Sequence, residues 1–437
     1  MSRRLRAPVR HVTFRRMGGD RRGWRRHAID LSPLEHRDYR RLWAGNAIAF
    51  VGFQVTAVAV PVEIYDITGS SFWVGMMGAV GLVPLIVFGL WGGAVADALD
   101  RRRVLLVGSV TMWLTTLGLL AHSLLDGDSV TVLLALVALQ SAAFAVVGST
   151  RGAIIPRVVP PEQIAAANTL GFTTSNVSMM AGPLLAALII TQVSLSAAYA
   201  LDAVLYLAAL YAAVRLPSLP PLGEISAPGL RSVIDGLAFI ATRPVLLVSF
   251  AVDIVAMVFA MPRALFPARA EELGGDAAVG WLFAALAIGA VVAGATSGWV
   301  GRVQRQGVAL VVAIVVWGLA VAGAGLAGNL WLAVFLLAVG GAADLVSAVY
   351  RQTMLQTYAP DEMRGRMQGV FIVVVAGGPR LGDVRAGTTA AAVGVQASWV
   401  GGGLLCAAVV LLALAVPVFR RYRAPTATDP RPSDDPT

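Results

Sequence analysis

The chain predicts an all-α membrane protein with twelve transmembrane helices arranged as two six-helix halves. Three observations carry that expectation. Hydrophobic residues make up 57% of the 437 residues and charged residues only 14%, with a mean hydropathy of +0.74, too little charge to cover a water-soluble surface. Apolar runs of spanning length, about 20 residues each, recur along nearly the whole chain. Arginines cluster in every second break between these runs, as loops on the cytoplasmic side of a bilayer do.

The first segment, 1–41, is basic: ten arginines lie between Arg3 and Arg26, and all 34 basic residues of the chain are arginine. It holds no apolar core of signal-peptide length, and reads as an orienting cytoplasmic tail rather than a nucleic-acid-binding arm. The N-terminal half, 42–216, has runs starting near Leu42, Phe72, Val104, Val130, Ile164 and Ala197. The C-terminal half, 245–419, has runs starting near Val245, Ala278, Val308, Leu330, Met367 and Ser398. Between them, 217–244 opens with the linker composition PSLPPLGEISAPG, after which Leu230, Val233, Ile234, Leu237 and Ile240 recur at helical spacing. That pattern predicts an amphipathic helix on the cytoplasmic membrane face. Residues 420–437 form a second tail.

The basic breaks contain Arg101–Arg103, Arg151 and Arg157, Arg231 and Arg243, Arg302 and Arg305, and Arg351, Arg364 and Arg366. The alternate breaks hold Asp66, Asp126, Asp128, Glu271, Glu272 and Asp276, with Arg269 as the exception. Both termini are therefore expected in the cytoplasm, on a multi-pass protein of the inner membrane.

The halves repeat each other. RGAIIPRVVPPEQ from Arg151 and RQTMLQTYAPDEM from Arg351 share Arg, Pro and Glu at an offset of 200, and Gly182 matches Gly382 at the same offset. Parallel repetition of six helices predicts a transporter with its site between the halves.

The stretch GGAVADALDRRRV, 92–104, closes a run of thirty residues without an ionisable side chain, Ile67–Ala96. With its Gly93, Asp97, Arg101 and Arg102 it resembles the loop motif of the major facilitator superfamily between helices two and three. Ala98 and Asp100 depart from that pattern. The resemblance implies that Asp97 caps a helix of the opposite half in one conformation, with Arg101 orienting it, so that the motif latches the cytoplasmic side. AVAVPVEIYDITGSS (57–71), MPRALFPARAEE (261–272), TMLQTYAPDEMRGRMQGVF (353–371) and AGGPRLGDVRAG (376–387) are similar to the enterobactin exporter branch of the superfamily. That branch implies siderophore export across the inner membrane; related sequences serve as macrolide or multidrug pumps. The helix-five drug-antiporter signature keeps Gly182-Pro183 but has Ser178, Ala186 and Ala187 at glycine positions, and 129–150 lacks the helix-four arginine.

Ionisable groups inside spans cost about 2.5–3.5 kcal/mol each on insertion scales and call for a reason. Asp253 and Asp383 lie nearest mid-span and are candidates for proton coupling. Asp253 has no basic partner within a turn, whereas Arg380 and Asp383 share a helix face and can neutralise each other. Arg263 either attracts an anionic or catecholate substrate or extends to the outer interface. Asp344 reads as a structural contact and Asp202 as a helix-start or interface residue. Gln54, Gln140 and Asn176, with Arg263 and Arg380, are candidate cavity residues, although hydrogen bonding between helices explains the amides equally well.

No cofactor is expected. GAGLAG, 323–328, is a formal dinucleotide fingerprint without a preceding strand, and four scattered histidines make no metal-ligand spacing. The expected partners are a small-molecule substrate, a proton gradient and the lipid bilayer, with no nucleic acid and a monomeric chain. The reading is a secondary exporter, not an enzyme, working by alternating access and proton antiport on a siderophore; the alternative is a multidrug or macrolide pump.

Overall fold

The computed structural model describes residues 31–220, 237–297, 300, 303–358 and 364–423, and within 90–98, 165, 276, 356, 364–373 and 376 the backbone alone. The N-terminal half contains α1 (Arg37–Thr68), α2 (Ser71–Ala98), α3 (Arg101–Leu124), α4 (Val130–Val158), α5 (Ile164–Gln192) and α6 (Leu195–Arg215). The C-terminal half contains α7 (Pro244–Ala260), α8 (Phe266–Leu273), α9 (Asp276–Ala295), α10 (Gln306–Leu326), α11 (Leu330–Tyr358), α12 (Arg364–Val393), α13 (Val395–Leu411) and the short α14 (Pro417–Arg421). Counting α7 and α8 as one span, eleven helical stretches are long and apolar enough to cross a membrane. The twelfth helix, α12, has 30 residues, but Arg380, Asp383 and Arg385 interrupt its apolar character.

Local chemistry sets the boundaries. Asp100, Ser129 and Ser194 cap α3, α4 and α6 by accepting bonds from Arg102, Val132 and Ala197 backbone N–H groups. Gly69, at φ 60°, ends α1 in the left-handed conformation that glycine adopts without penalty. Helix α1 begins at Arg37, ahead of the apolar run from Leu42. The seventh span breaks at Met261–Pro262, where proline cannot continue the ladder, and resumes as a turn, Arg263–Leu265, followed by α8.

In the N-terminal half α1 packs on α5 and α6, α2 on α4, and α3 on α4 and α6. In the C-terminal half α11 packs on α9 and α10, and α13 on α10 and α7. Small residues bring backbones together, as at Gly318 and Gly403, where each added Cβ would meet the other's carbonyl oxygen at 2.7 and 2.5 Å. In lipid such close packing replaces the hydrophobic drive that water provides. A polar knot joins α1, α3 and α6: Tyr199 donates to Glu63 Oε2 at 2.5 Å, and His122 Nδ1 lies 2.9 Å from Glu63 Oε1. A second knot corrects the reading of Asp202. It is 1% exposed and accepts from Thr56 and Thr116 at 2.7 and 3.1 Å, locking α6 to α1 and α3. The threonines stand 86 and 146 residues away in sequence.

Of the linker pattern, Leu230, Val233 and Ile234 lie outside the described residues; 237–242 is helical, with Ile240 buried and Leu237 exposed. The linker's first residues are fastened to the α2–α3 turn. Asp100 accepts from Ser218 Oγ at 2.5 Å and from Leu219 N at 3.1 Å, and Arg101 N donates to Leu219 O at 3.1 Å. The Ser218 bond, then those from Leu219 and Arg102, hold the Asp100 carboxyl below the usual carboxylate range. A depressed acid contributes its stabilisation above the unfolded value of about 3.9 and loses it as pH falls through the lower folded value. Hydrogen exchange at the Leu219 amide, which donates to Asp100, is therefore expected to be flat from neutral pH down to about 4 once corrected for intrinsic rates, and to quicken only below it. In Asp100→Gly it should be fast throughout.

Candidate functional site between the halves

Two seams join the halves, α2 with α12 and α5 with α9. The 200-residue repeat carries α2 onto α9 and α5 onto α12, so each seam is the copy of the other. Both are formed toward the face opposite the start of α1. On α2, a Cβ at Gly75 would meet Asp383 O at 2.5 Å, and one at Gly78 would meet Arg380 O at 2.5 Å. On α9, a Cβ at Gly280 would meet Pro183 O at 2.5 Å. Toward the face where α1 begins, no atom of the described residues lies within 4 Å of a Cβ placed at Gly148, Gly152 or Gly171.

The seam carries the charges of α12. Arg380 reaches over Gly81 and donates from Nη1 to Ser141 Oγ on α4 at 3.1 Å, a bond from one half to the other. Asp383 is 9% exposed and accepts from Arg263 Nη2 at 3.1 Å. Its pairing is thus with Arg263 across the break in the seventh span, not with Arg380 one turn away. Arg385 donates to Val258 O and Phe259 O at 3.1 and 2.5 Å, and to Ser398 O at 3.1 Å. The logic is that of helix ends: the carbonyls left open at the end of α7 receive a guanidinium, and the start of the next turn faces a carboxylate. Asp383 and Arg385 thereby hold the break in place. Polar capacity remains open here, since Asp383 Oδ1, Arg263 Nε and Gln140 Nε2 are buried with no hydrogen-bond partner among the described residues.

The structure brings Arg263, Arg380 and Asp383 together and separates other candidates from them. Asp253 is 2% exposed and paired with Arg351 of α11, itself 4% exposed, so its neutralising partner comes from another helix. Arg351, counted above among the loop arginines, lies inside α11, with Asp344 Oδ1 4.0 Å from its Nη2. Asn176 donates to Phe172 O of its own helix at 2.9 Å. Gln54 packs its Cβ against Gly182 at the α1–α5 contact. In the loop motif, Gly93 and Asp97 lie on α2 with side chains outside the described set. Arg101 donates to Ala153 O at 2.9 Å and Arg102 to Val214 O at 2.7 Å, both within the N-terminal half. Ser141 was missed by sequence because a lone serine in an apolar run carries no signal until its partner is known. Among the described residues no group of three or more His, Cys, Asp or Glu side chains is placed to hold a metal ion.

The helical bundle is shared with solved transporters of low sequence identity, which show the fold alone. The nucleoside transporter NupG superposes with a TM-score of 0.69 at 13% identity, covering 88% of this chain and 100% of that one. A bacterial homologue of the iron transporter ferroportin, in an inward-facing state, gives 0.66 at 13% identity, covering 88% and 98%. The deciding match is to the family described as transmembrane secretion effector (MFS_3), whose model covers residues 28–434. The chain belongs to that family of the major facilitator superfamily. Its relatives include the enterobactin exporter EntS of Shigella boydii serotype 18, 29% identical over 410 residues, covering 92% of this chain and 98% of that protein. The enterobactin exporter EntS of Escherichia coli O81 matches over the same shares. As a member of this family the chain is a multi-pass membrane transporter of a small molecule, not an enzyme.

Proposed function

We propose that this transporter exports a siderophore, or a related amphipathic product, across the cytoplasmic membrane by alternating access coupled to proton antiport, with both termini in the cytoplasm. The observation that carries substrate class and direction is the end-to-end match to enterobactin exporters, which spans 92% of this chain and 98% of theirs. The geometry supports the transport cycle. Seams formed toward one face, with no described neighbour beside Gly148, Gly152 and Gly171 toward the other, fit one of the two arrangements such a cycle needs.

Of the two carboxylates, Asp383 is the better proton carrier. It sits on the seam, so parting the halves changes its surroundings and with them its proton affinity. Asp253 meets its arginine inside the C-terminal half, so parting the halves leaves the two on the same side of the seam. Arg263 and Arg380 offer guanidinium groups to an anionic or catecholate substrate at the same seam.

The test is mass spectrometry of iron-starved cells lacking the gene, beside cells complemented with the wild type or with Asp383→Asn. The expected result is siderophore retained in the deleted cells, released by the wild type, and released at least about tenfold more slowly by the variant, as general proton transfer steps lose on removal of their group. Unchanged chelator export, with a changed accumulation of drugs, would replace this reading by multidrug efflux.

A further inference from the structure

We propose that the N-terminal half holds a second binding site, a pocket for an aromatic anion built on Arg151, Phe53 and Phe144. It lies between α1, α3, α4 and α6, away from the seams, and its lining includes Asn46, Phe50, Phe53, Phe144, Arg151 and Tyr206. Phe53 stacks on Phe144 with centroids 5.0 Å apart and planes 12° from parallel, and Phe50 continues the stack at 5.8 Å and 17°. One wall is thus a run of aromatic faces. The cation is Arg151, half-buried at the pocket edge, and neither Arg151 nor Asn46 has a hydrogen-bond or ion-pair partner among the described residues.

The internal repeat shows what is unusual about this arginine. At the offset of 200, Arg151 corresponds to Arg351, Phe53 to Asp253 and Phe144 to Asp344. In the C-terminal half the two aspartates surround the arginine, Asp253 paired with it and Asp344 at 4.0 Å. In the N-terminal half the arginine is retained, but both carboxylates are replaced by rings that stack on each other. A guanidinium set into a low-dielectric bundle needs a counter-anion, and here none of the described residues provides one. The vacated positions define the ligand: a carboxylate or phenolate for Arg151, and a flat arene to extend the Phe53–Phe144 stack. An aliphatic anion gains only the first contact and a neutral arene only the second.

Calorimetric titration of the purified full chain in lipid nanodiscs tests this with benzoate, benzamide and cyclohexanecarboxylate as probes. Benzoate is expected to bind, and each of the other two at least about tenfold more weakly, the usual cost of losing a charge-assisted or stacking contact. Arg151→Gln should weaken benzoate by a similar factor. Phe144→Asp should do so as well while melting no lower than the wild type, because it restores the carboxylate found in the other half; this variant keeps the test valid if Arg151→Gln fails to fold. Equal benzoate affinity in the wild type and in either folded variant would overturn the proposal, as would no binding by the folded wild type up to about 10 mM. The titration uses neither gradient nor siderophore, so its failure leaves the export reading standing, and the reverse holds.

Discussion

Replacing Arg351 with glutamine is expected to cost about 3–5 kcal/mol of stability. The side chains of Arg351 and Asp253 are 5% and 3% exposed, so removing the guanidinium leaves a carboxylate in the bundle with neither water nor cation. Charge burial is expensive in itself, and the pair is tolerable only because each group offsets the other. Arg351→Gln with Asp253→Asn should therefore recover most of the loss, since two amides of similar shape can bond to each other. Thermal unfolding in a mild detergent reads both. A single variant that melts with the wild type would show that Asp253 is not held by Arg351.

Gly75→Val is expected to disfavour the observed arrangement of the halves by about 1–3 kcal/mol, the usual penalty for overpacking a close contact. The Cβ would meet a backbone oxygen, Asp383 O, at 2.5 Å, and backbone cannot step aside as a flexible side chain can. The population should shift toward the opposite arrangement by roughly five- to 150-fold. Ser71 reports the shift. It is buried at the start of α2, where its carbonyl lies against Gly387. A Ser71→Cys reporter, with Cys406→Ala to remove the native thiol, should be labelled faster by that factor from the face opposite the start of α1. Unchanged labelling would mean that the α2–α12 seam does not open.

The membrane fold was legible because lipid imposes a strong rule: spans must be long and apolar, and exceptions stand out against them. Twelve runs were visible for that reason, and α12 was visible even with three ionisable groups in its span. The repeat was legible through residues such as Arg151 and Arg351. Their setting was not, since a basic residue near a run's end reads the same in a loop as in the last turns of a helix. The break after α7 had a signal in Pro262, which follows Met261 inside an apolar run.

Partnerships were the illegible part. Asp253 pairs 98 residues away, Asp383 pairs 120 away, and Arg380 bonds to a serine 239 away. Sequence offers neighbours one turn apart, which is why Arg380 and Asp383 read as a pair. Packing instead placed Asp383 beside the broken seventh span. Asp100 is a milder case, because its departure from the loop motif was visible while its role in fastening Ser218 and Leu219 required the fold.

Coupled export is tested most directly in inverted membrane vesicles, whose lumen corresponds to the outer side. Purified catecholate siderophore is added outside, and uptake is followed with the lumen made acidic, with no pH difference, and after a protonophore. The expected result is accumulation that requires the acidic lumen, collapses with the protonophore and is lost in Asp383→Asn. Accumulation that ignores the pH difference, or none by the wild type under any gradient, would contradict it.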